Sequence, residues 1–532
     1  MTEPVNLPTS ARCDLLIVGG GVNGAGIARD AAGRGLSVVL CEKDDLASHT
    51  SSASTKLIHG GLRYLEHYEF SLVRKSLLER EILLRNAPHI MRPLRFVLPH
   101  DPSMRPAWMM RLGLFFYDHL ARRELLEGSE GIDLRKHAAG RPLKAEFTKA
   151  FVYSDGWVDD ARLVVLNALG AAEKGATILP RTTCMRAVAA GDGSGWQATL
   201  RGADGALHEV RARALVNATG QWAASFLRDG TQRQGTRSMR LIKGSHIVVP
   251  RMFDHPMAYI LQSPDKRIVF AIPYEQQFTL IGTTDVEQGG APGEVRISAA
   301  EVEYLCGLIN RYFDKPIGPA DVVWSYSGVR PLMDDESGDP SAVTRDYSLE
   351  LMTDGPPCLT VWGGKITTYR KLAEEAVDLL HPVLSPLVQR MGEPWTVDAP
   401  LPGGDFDALL GGRAAGDLGF ERLCLHIRRH HPWLPGPLVQ RYAGSYGTRY
   451  ASVIGAANSL QDLGAEVAPR VYAAELAYLR DHEWAHSADD VLWRRSKLGL
   501  HLDEAQRQAV AGWFRAPAAP QAVAGSAKGA HQ

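Results

Sequence analysis

Clustered cysteines are missing from this chain. Its six, Cys13, Cys41, Cys184, Cys306, Cys358 and Cys424, are widely spaced and form no Cys-x-x-Cys pair. That spacing argues against zinc, iron–sulfur and disulfide frameworks and fits a reducing compartment, so no metal is expected. An excess of one charge is missing too. The 59 Lys+Arg and 60 Asp+Glu leave a net charge of −1, and no basic field points to nucleic acid. No apolar run approaches the ~20 residues that span a bilayer. Met1–Ser10 is polar and lacks an apolar signal core. The expectation is a chain neither secreted nor transmembrane. Its 532 residues can hold two or three domains around a large core.

What the chain does have is glycine in a telling place. An apolar run from Asp14 ends in Gly19-x-Gly21-x-x-Gly24 and passes directly into helix-forming sequence. Gly19 permits the tight turn, Gly21 lets backbone approach a pyrophosphate, and Gly24 lets the helix pack closely on the strand. Gly20 and Asn23 belong to the same turn. The phosphates would rest on free N–H groups at the positive end of the helix. A second apolar run, Leu36–Leu40, leads to Glu42, whose carboxylate can accept ribose hydroxyls. Strand, turn, helix, strand and acid fall in the order a dinucleotide fingerprint requires.

Three further glycine-bearing segments favour FAD over a diffusible nicotinamide cofactor. They are Ser51–Tyr64, Leu215–Gly220 and Val361–Thr368. Short apolar strands stopping at glycine suit the carboxyl edge of a parallel sheet, where ligands bind. In the first segment Ser51, Ser52, Ser54 and Thr55 can donate to flavin or pyrophosphate oxygens. Lys56, His59, Gly60 and Gly61 follow as cofactor contacts, because a double glycine suggests close backbone approach. Thr219 and Gly220 close the second segment. Gly364, Lys365, Thr367 and Thr368 in the third approach the ring system at a helix N-terminus.

The organisation reads as α/β, with a Rossmann-type cofactor domain built from residues 12–90, 150–235 and 351–385. Residues 91–149 form a helical, membrane-associated insertion. Residues 236–350 alternate in short strands that suggest an antiparallel substrate domain. A helical domain spans 390–515, and the Ala-, Pro- and Gly-rich tail 516–532 is expected to be disordered.

The motifs Thr50–Tyr64, Lys243-Gly-Ser-His246, Ile281–Asp285, Tyr326-Ser-Gly-Val-Arg330-Pro331 and Gly363-Gly-Lys365, with Asp481–Trp484 and Leu492–Arg495, resemble those of the FAD-dependent glycerol-3-phosphate dehydrogenases of the aerobic bacterial type. The resemblance runs from about residue 12 to 515. It implies a D-amino-acid-oxidase-like flavoprotein fold with non-covalently held FAD. It also implies oxidation of sn-glycerol 3-phosphate to dihydroxyacetone phosphate, ubiquinone as electron acceptor, a homodimer, and peripheral attachment to the inner face of the cytoplasmic membrane.

A phosphomonoester substrate demands cations, and arginine binds phosphate in a bidentate fork. Arg330, Arg345 and Lys365 are candidates, and Arg63 and Tyr64 could line the same pocket. His246 lies on one strand face with Val248. A histidine of near-neutral pKa could take the C2 hydroxyl proton. Arg330 could instead hold the substrate and stabilise an alkoxide, since arginine rarely deprotonates. The base stays open between these readings.

Around Trp108 a helix would place Trp108, Leu112, Phe115 and Phe116 on one arc, and Arg111, Asp118 and Arg122 on another. Such a helix either lies in a membrane interface or packs between domains. The family resemblance favours the membrane. Competing activities are a glycerol-3-phosphate oxidase, an amine or amino-acid oxidase on the same fold, and a non-catalytic flavin-binding redox sensor.

Overall fold

The structure is a computed structural model describing residues 10–101, 106–265, 267–290, 292–333, 346–388, 391–412 and 416–516, with the side chains of Arg63, Glu66 and His67 excepted. The expected disordered tail, apart from Ala516, lies outside these residues.

The strands Ser10–Val18, Val38–Cys41, Leu207–Asn217 and Cys358–Gly363 pair in parallel, and their carboxyl-terminal parts are apolar and buried on both faces. Such continuous rather than alternating hydrophobicity marks strands covered by helices. Thr177–Leu179 adds a fifth parallel strand beside Val38–Cys41, and Tyr347–Met352 closes the other side antiparallel. The helices Val22–Gly33, Asp160–Glu173 and Tyr369–Leu384 bury a common core with the sheet. Gly26 allows the first and last of these to approach closely, since a Cβ there would stand 2.9 Å from the Tyr369 ring.

A second sheet of ten strands is antiparallel throughout, apart from the pairing of Ala258–Gln262 with Met91–Pro99. The helix Ala299–Tyr312 shares a core with it, started by a Ser298/Glu301 capping box. Here the boundaries expected from the sequence need correction. The stretch 91–149 is not a helical insertion. Met91–Pro99 and Glu130–Asp133 are strands of the second sheet, and among the described residues only Ala107–His119 is an α-helix. Lys149–Val158, expected in the cofactor domain, pairs with both strands and belongs to the second sheet. Conversely, Tyr347–Met352, expected in the substrate domain, pairs with Cys358–Gly363 in the first.

From Phe406 to Arg515 the chain is mainly helical around its own core, which includes Leu438, Tyr442, Tyr446, Leu476 and Val510. Within it the helix Ala473–Glu483 follows directly on the short strand Val471–Tyr472. All six cysteines are free and buried.

Candidate active site

Because the five central strands are parallel, their carboxyl ends share one edge, and the glycine segments sit there. Gly19, Gly21, Glu42, Ser51, Thr219 and Gly220 line a cavity of about 350 Å³. Gly19 has φ +113°, and a Cβ there would lie 2.4 Å from Ala218 O. A Cβ on Gly24 would stand 1.9 Å from Gly19 O, so the helix can only pack this close without one. Gly21 differs: a Cβ there meets just the Ser51 hydroxyl, at 3.1 Å, and otherwise faces the cavity. Glu42 accepts from Gly20 N through Oε2 (2.7 Å) and from Asp44 N through Oε1 (3.0 Å). Burial pushes its carboxyl up, against the pull of these two N–H donors. On the other side of the turn, Asn23 Nδ2 donates to Gly363 O at 3.3 Å, joining the first and last glycine segments.

In the serine-rich loop, Ser52 and Ser54 give their hydroxyl protons to groups of the protein, while Ser51 lines the cavity. Ser54 Oγ donates to Asp160 Oδ2 (2.7 Å), and the Lys56 ammonium meets Asp160 Oδ1 (2.8 Å) in a fully buried pair. Removing one partner of such a pair costs about 3–5 kcal/mol. Ser54 and Lys56 therefore anchor the loop to the start of Asp160–Glu173. Ser51 Oγ accepts from Val22 N (3.0 Å), Ser52 Oγ donates to His49 O (3.3 Å), and Thr55 Oγ1 meets His246 Nε2 (3.0 Å). Thr50 Oγ1 donates to Val329 O at 2.7 Å, tying the loop to the strand that carries Arg330.

Beyond the loop, His59 N donates to Thr367 Oγ1 (3.2 Å), and Gly60 N donates to Tyr117 Oη (2.9 Å). Tyr117 Oη in turn donates to Asp155, which Arg80 pairs at 2.6 Å. Gly61 has φ +81°, and the ring of Tyr64 lies close against it. Lys365 Nζ sits 3.8 Å from the Tyr64 ring centroid, a cation–π contact. Arg63 is in the short helix Leu62–His67, and its side chain lies outside the described residues. So does all of Arg345.

The strands Met239–Pro250 and Trp324–Met333 run antiparallel, with Ile242 opposite Arg330 and His246 opposite Tyr326. Alternation puts Ile242, Gly244 and His246 on one face. The Arg330 guanidinium passes over Gly244, where a Cβ would come within 2.1 Å of Nη2. Arg330 is aimed by Asp285 (Nη1–Oδ1 2.6 Å), Thr283 Oγ1 (3.1 Å) and Thr284 O (2.9 Å). His246 is 2 % exposed and stacks on Tyr326, with ring centroids 4.7 Å apart. Burial first, then the charges of Lys56 and Arg330, hold its pKa well below the usual histidine range. The near-neutral pKa expected from the sequence is therefore not found: His246 is neutral at pH 7, and Nδ1 has no hydrogen-bond partner among the described residues. The turn after Gly363 reaches the same region, since a Cβ on Gly363 would lie 3.6 Å from Pro331 O.

Residues 14–370 match the family model described as FAD dependent oxidoreductase. The chain belongs to this FAD-dependent family. Residues 395–516 match the model described as the C-terminal domain of alpha-glycerophosphate oxidase. The chain is 52 % identical to a glycerol-3-phosphate dehydrogenase of Pseudomonas aeruginosa, over 94 % of both sequences. It is 49 % identical to a D-erythritol 1-phosphate dehydrogenase of Brucella abortus, over 94 % of this chain and 97 % of that one. The structure of a glycerol-3-phosphate dehydrogenase from Bacillus halodurans complexed with FAD matches with a TM-score of 0.74 and 26 % identity, covering 94 % of this chain and 90 % of that one.

The residues present in this FAD-dependent oxidoreductase fit an adenosine and pyrophosphate in the cavity. Gly21 opens onto it, Glu42 stands at the end of the second strand, and the helix Val22–Gly33 starts at Gly21, which has no side chain to cap it, while Ser51 Oγ takes the Val22 N–H. The buried Asn23 Oδ1 and Thr368 Oγ1 have no hydrogen-bond partner among the described residues; such groups need one. The sequence reading missed His49, Gln221 and Trp222, which also line the cavity. It also missed Tyr117 and Asp155 beneath Gly60. Nothing local marks Tyr117, whose hydroxyl partner lies 38 residues away.

Proposed function

We propose that this FAD-dependent oxidoreductase oxidises sn-glycerol 3-phosphate to dihydroxyacetone phosphate and passes the electrons to ubiquinone. FAD, when bound, supplies the acceptor for the C2 hydride. Arg330 and Lys365 provide positive charge for the phosphate, with Arg345, Arg63 and Tyr64 as further substrate contacts. The neutral His246 takes the C2 hydroxyl proton at Nδ1. The observation that carries this reading is Arg330 and His246 on one sheet face, on either side of Gly244, with Thr50 tying the Arg330 strand to the wall of the glycine-lined cavity.

The test is anaerobic. Adding sn-glycerol 3-phosphate to the purified yellow protein is expected to bleach the flavin band, and a ubiquinone analogue to restore it. Bleaching by D-erythritol 1-phosphate alone would reassign the substrate. Bleaching by amino acids alone would make it an amino-acid oxidase. Hydrogen peroxide released in stoichiometric yield would make oxygen the acceptor.

Among the described residues no helix is long and apolar enough to cross a membrane. The helix Ala107–His119 nevertheless leaves Trp108 65 %, Leu112 46 %, Phe115 51 % and Phe116 45 % exposed, while Leu114 and Tyr117 are its buried residues. It packs against Leu62–His67. That short helix ends at Tyr68, which is 81 % exposed, and Phe70 follows. We assign this apolar surface to peripheral attachment at the cytoplasmic face of the membrane, with exposed Arg122 beside it. Arg111 donates to Ser129 O and Oγ (both 3.0 Å), so it braces the following loop rather than reaching freely for headgroups. Replacing Trp108 and Phe115 with Ser is expected to weaken liposome binding by at least about 100-fold, given ~1.5–3 kcal/mol for each large side chain buried. Activity with a soluble dye stays unchanged. Undiminished co-sedimentation with liposomes would remove this surface from the assignment. A homodimer completes the reading and rests on the family resemblance.

A further inference from the structure

The cofactor cavity has a wall, Glu42–Ser51, whose outer side is held by the C-terminal domain. Ala47 N donates to Gly20 O at 3.3 Å, and Ser48 donates to Asp45 O through both N (3.2 Å) and Oγ (2.6 Å). The Asp45 carbonyl thus faces the cavity wall, while its carboxylate points away from it. That carboxylate is buried and takes a bidentate fork from Arg495, Nη1–Oδ2 2.6 Å and Nη2–Oδ1 2.7 Å. Arg494 Nε adds a third bond at 2.5 Å. Both arginines lie in the last quarter of the C-terminal domain.

A second carboxylate completes the arrangement. Asp490 accepts from Arg494 and, through both oxygens at 2.9 Å, from Arg181 Nη2. Arg181 N donates to Asp44 O at 2.7 Å, and Thr182 N donates to Glu42 O at 2.7 Å. Two carboxylates and three guanidiniums therefore surround the base of the wall. The charged side chains of Asp45, Asp490 and Arg495 are 1 %, 0 % and 0 % exposed. Burial pushes Asp490 up, but the His486 N–H and the three arginines outweigh it and hold the carboxyl down to about 2.

We propose that Arg494 and Arg495 are positioning residues for FAD: by gripping Asp45 they hold the Glu42–Ser51 wall in the shape that retains the adenosine–pyrophosphate half. The C-terminal domain is then part of the cofactor site without touching the cofactor. An Arg–carboxylate fork fixes orientation as well as position, which a wall made of loop backbone cannot do for itself.

The experiment titrates apoprotein with FAD and melts each variant with and without excess FAD. Asp45→Asn and Arg495→Gln are expected to raise the FAD Kd about 10–100-fold, and Arg494→Gln, at a partly exposed site, about 3–10-fold. The melting gain due to FAD shrinks accordingly, because that gain follows RT ln(1 + [FAD]/Kd). Glu475→Gln is the control. Its buried carboxylate pairs with Arg441 and accepts from Tyr446 Oη (2.7 Å) inside the C-terminal domain, and meets neither the wall nor Arg494 and Arg495. It is expected to lower apo and holo melting equally and leave Kd unchanged. Parent-like Kd in Asp45→Asn and Arg495→Gln overturns the proposal, as does an equal rise in Glu475→Gln. If the two buried variants do not fold, Arg494→Gln decides: an unchanged Kd overturns the proposal.

Discussion

Gly21→Val is expected to give a folded, colourless protein whose FAD affinity has fallen at least about 1,000-fold, or ~4 kcal/mol. The size of the effect follows from where the Cβ goes. At Gly21 it meets only the Ser51 hydroxyl and projects into the cavity, so the valine methyls occupy the space a pyrophosphate needs. Backbone packing is untouched, and melting of the apoprotein should stay near the parent's. Gly24→Val offers the contrast. Its Cβ would lie 1.9 Å from Gly19 O, so helix and strand must separate, and the protein should fail to accumulate. Absorbance at the flavin band and apoprotein melting separate the two cases. A normal flavin spectrum in Gly21→Val would sink the assignment of this turn to the pyrophosphate.

Arg330→Ala is expected to lower kcat/KM about 10³-fold, or ~4 kcal/mol at 1.36 kcal/mol per tenfold, while leaving FAD bound. The loss has two parts: the fork to the substrate, and the 2.6 Å ion pair with Asp285. Arg330→Lys should recover part of the binding, seen in KM, but little turnover, because an ammonium cannot reproduce the fork that Asp285, Thr283 and Thr284 aim. Steady-state kinetics with sn-glycerol 3-phosphate, beside the flavin spectrum, check both. Parent-like kinetics for Arg330→Ala would refute its role.

Much of this was legible before any coordinates, and the reasons are physical. The turn at Gly19–Gly24 could be read because its requirements are local: a strand, three glycines at fixed offsets and a helix start. The short alternating strands at 240–285 were legible for the same reason. What could not be read depends on distant partners. Met91–Pro99 carries Pro93 and two arginines and looks unlike a strand. It becomes one because Lys149–Val158 and Ala258–Gln262 flank it. Ser54 and Lys56 have the composition of phosphate binders, yet a buried carboxylate 106 and 104 residues on takes both. The aromatic arc at 108–116 was visible as a pattern, but its exposure was not, because amphipathicity does not say which face is covered.

The Asp45–Arg495 fork joins residues 450 positions apart, which puts a clock on biogenesis. At about 5–20 residues per second, Arg495 is added roughly 20–90 s after Asp45. During that interval the strand Ser10–Val18 waits for Leu207–Asn217, which in turn waits for Cys358–Gly363. A nascent chain thus carries an open apolar edge of the kind that aggregates when unpaired. With Arg494 and Arg495 as the proposed positioning residues, tight FAD capture follows the synthesis of Arg495, and a chain terminated before it is expected to be flavin-poor and aggregation-prone.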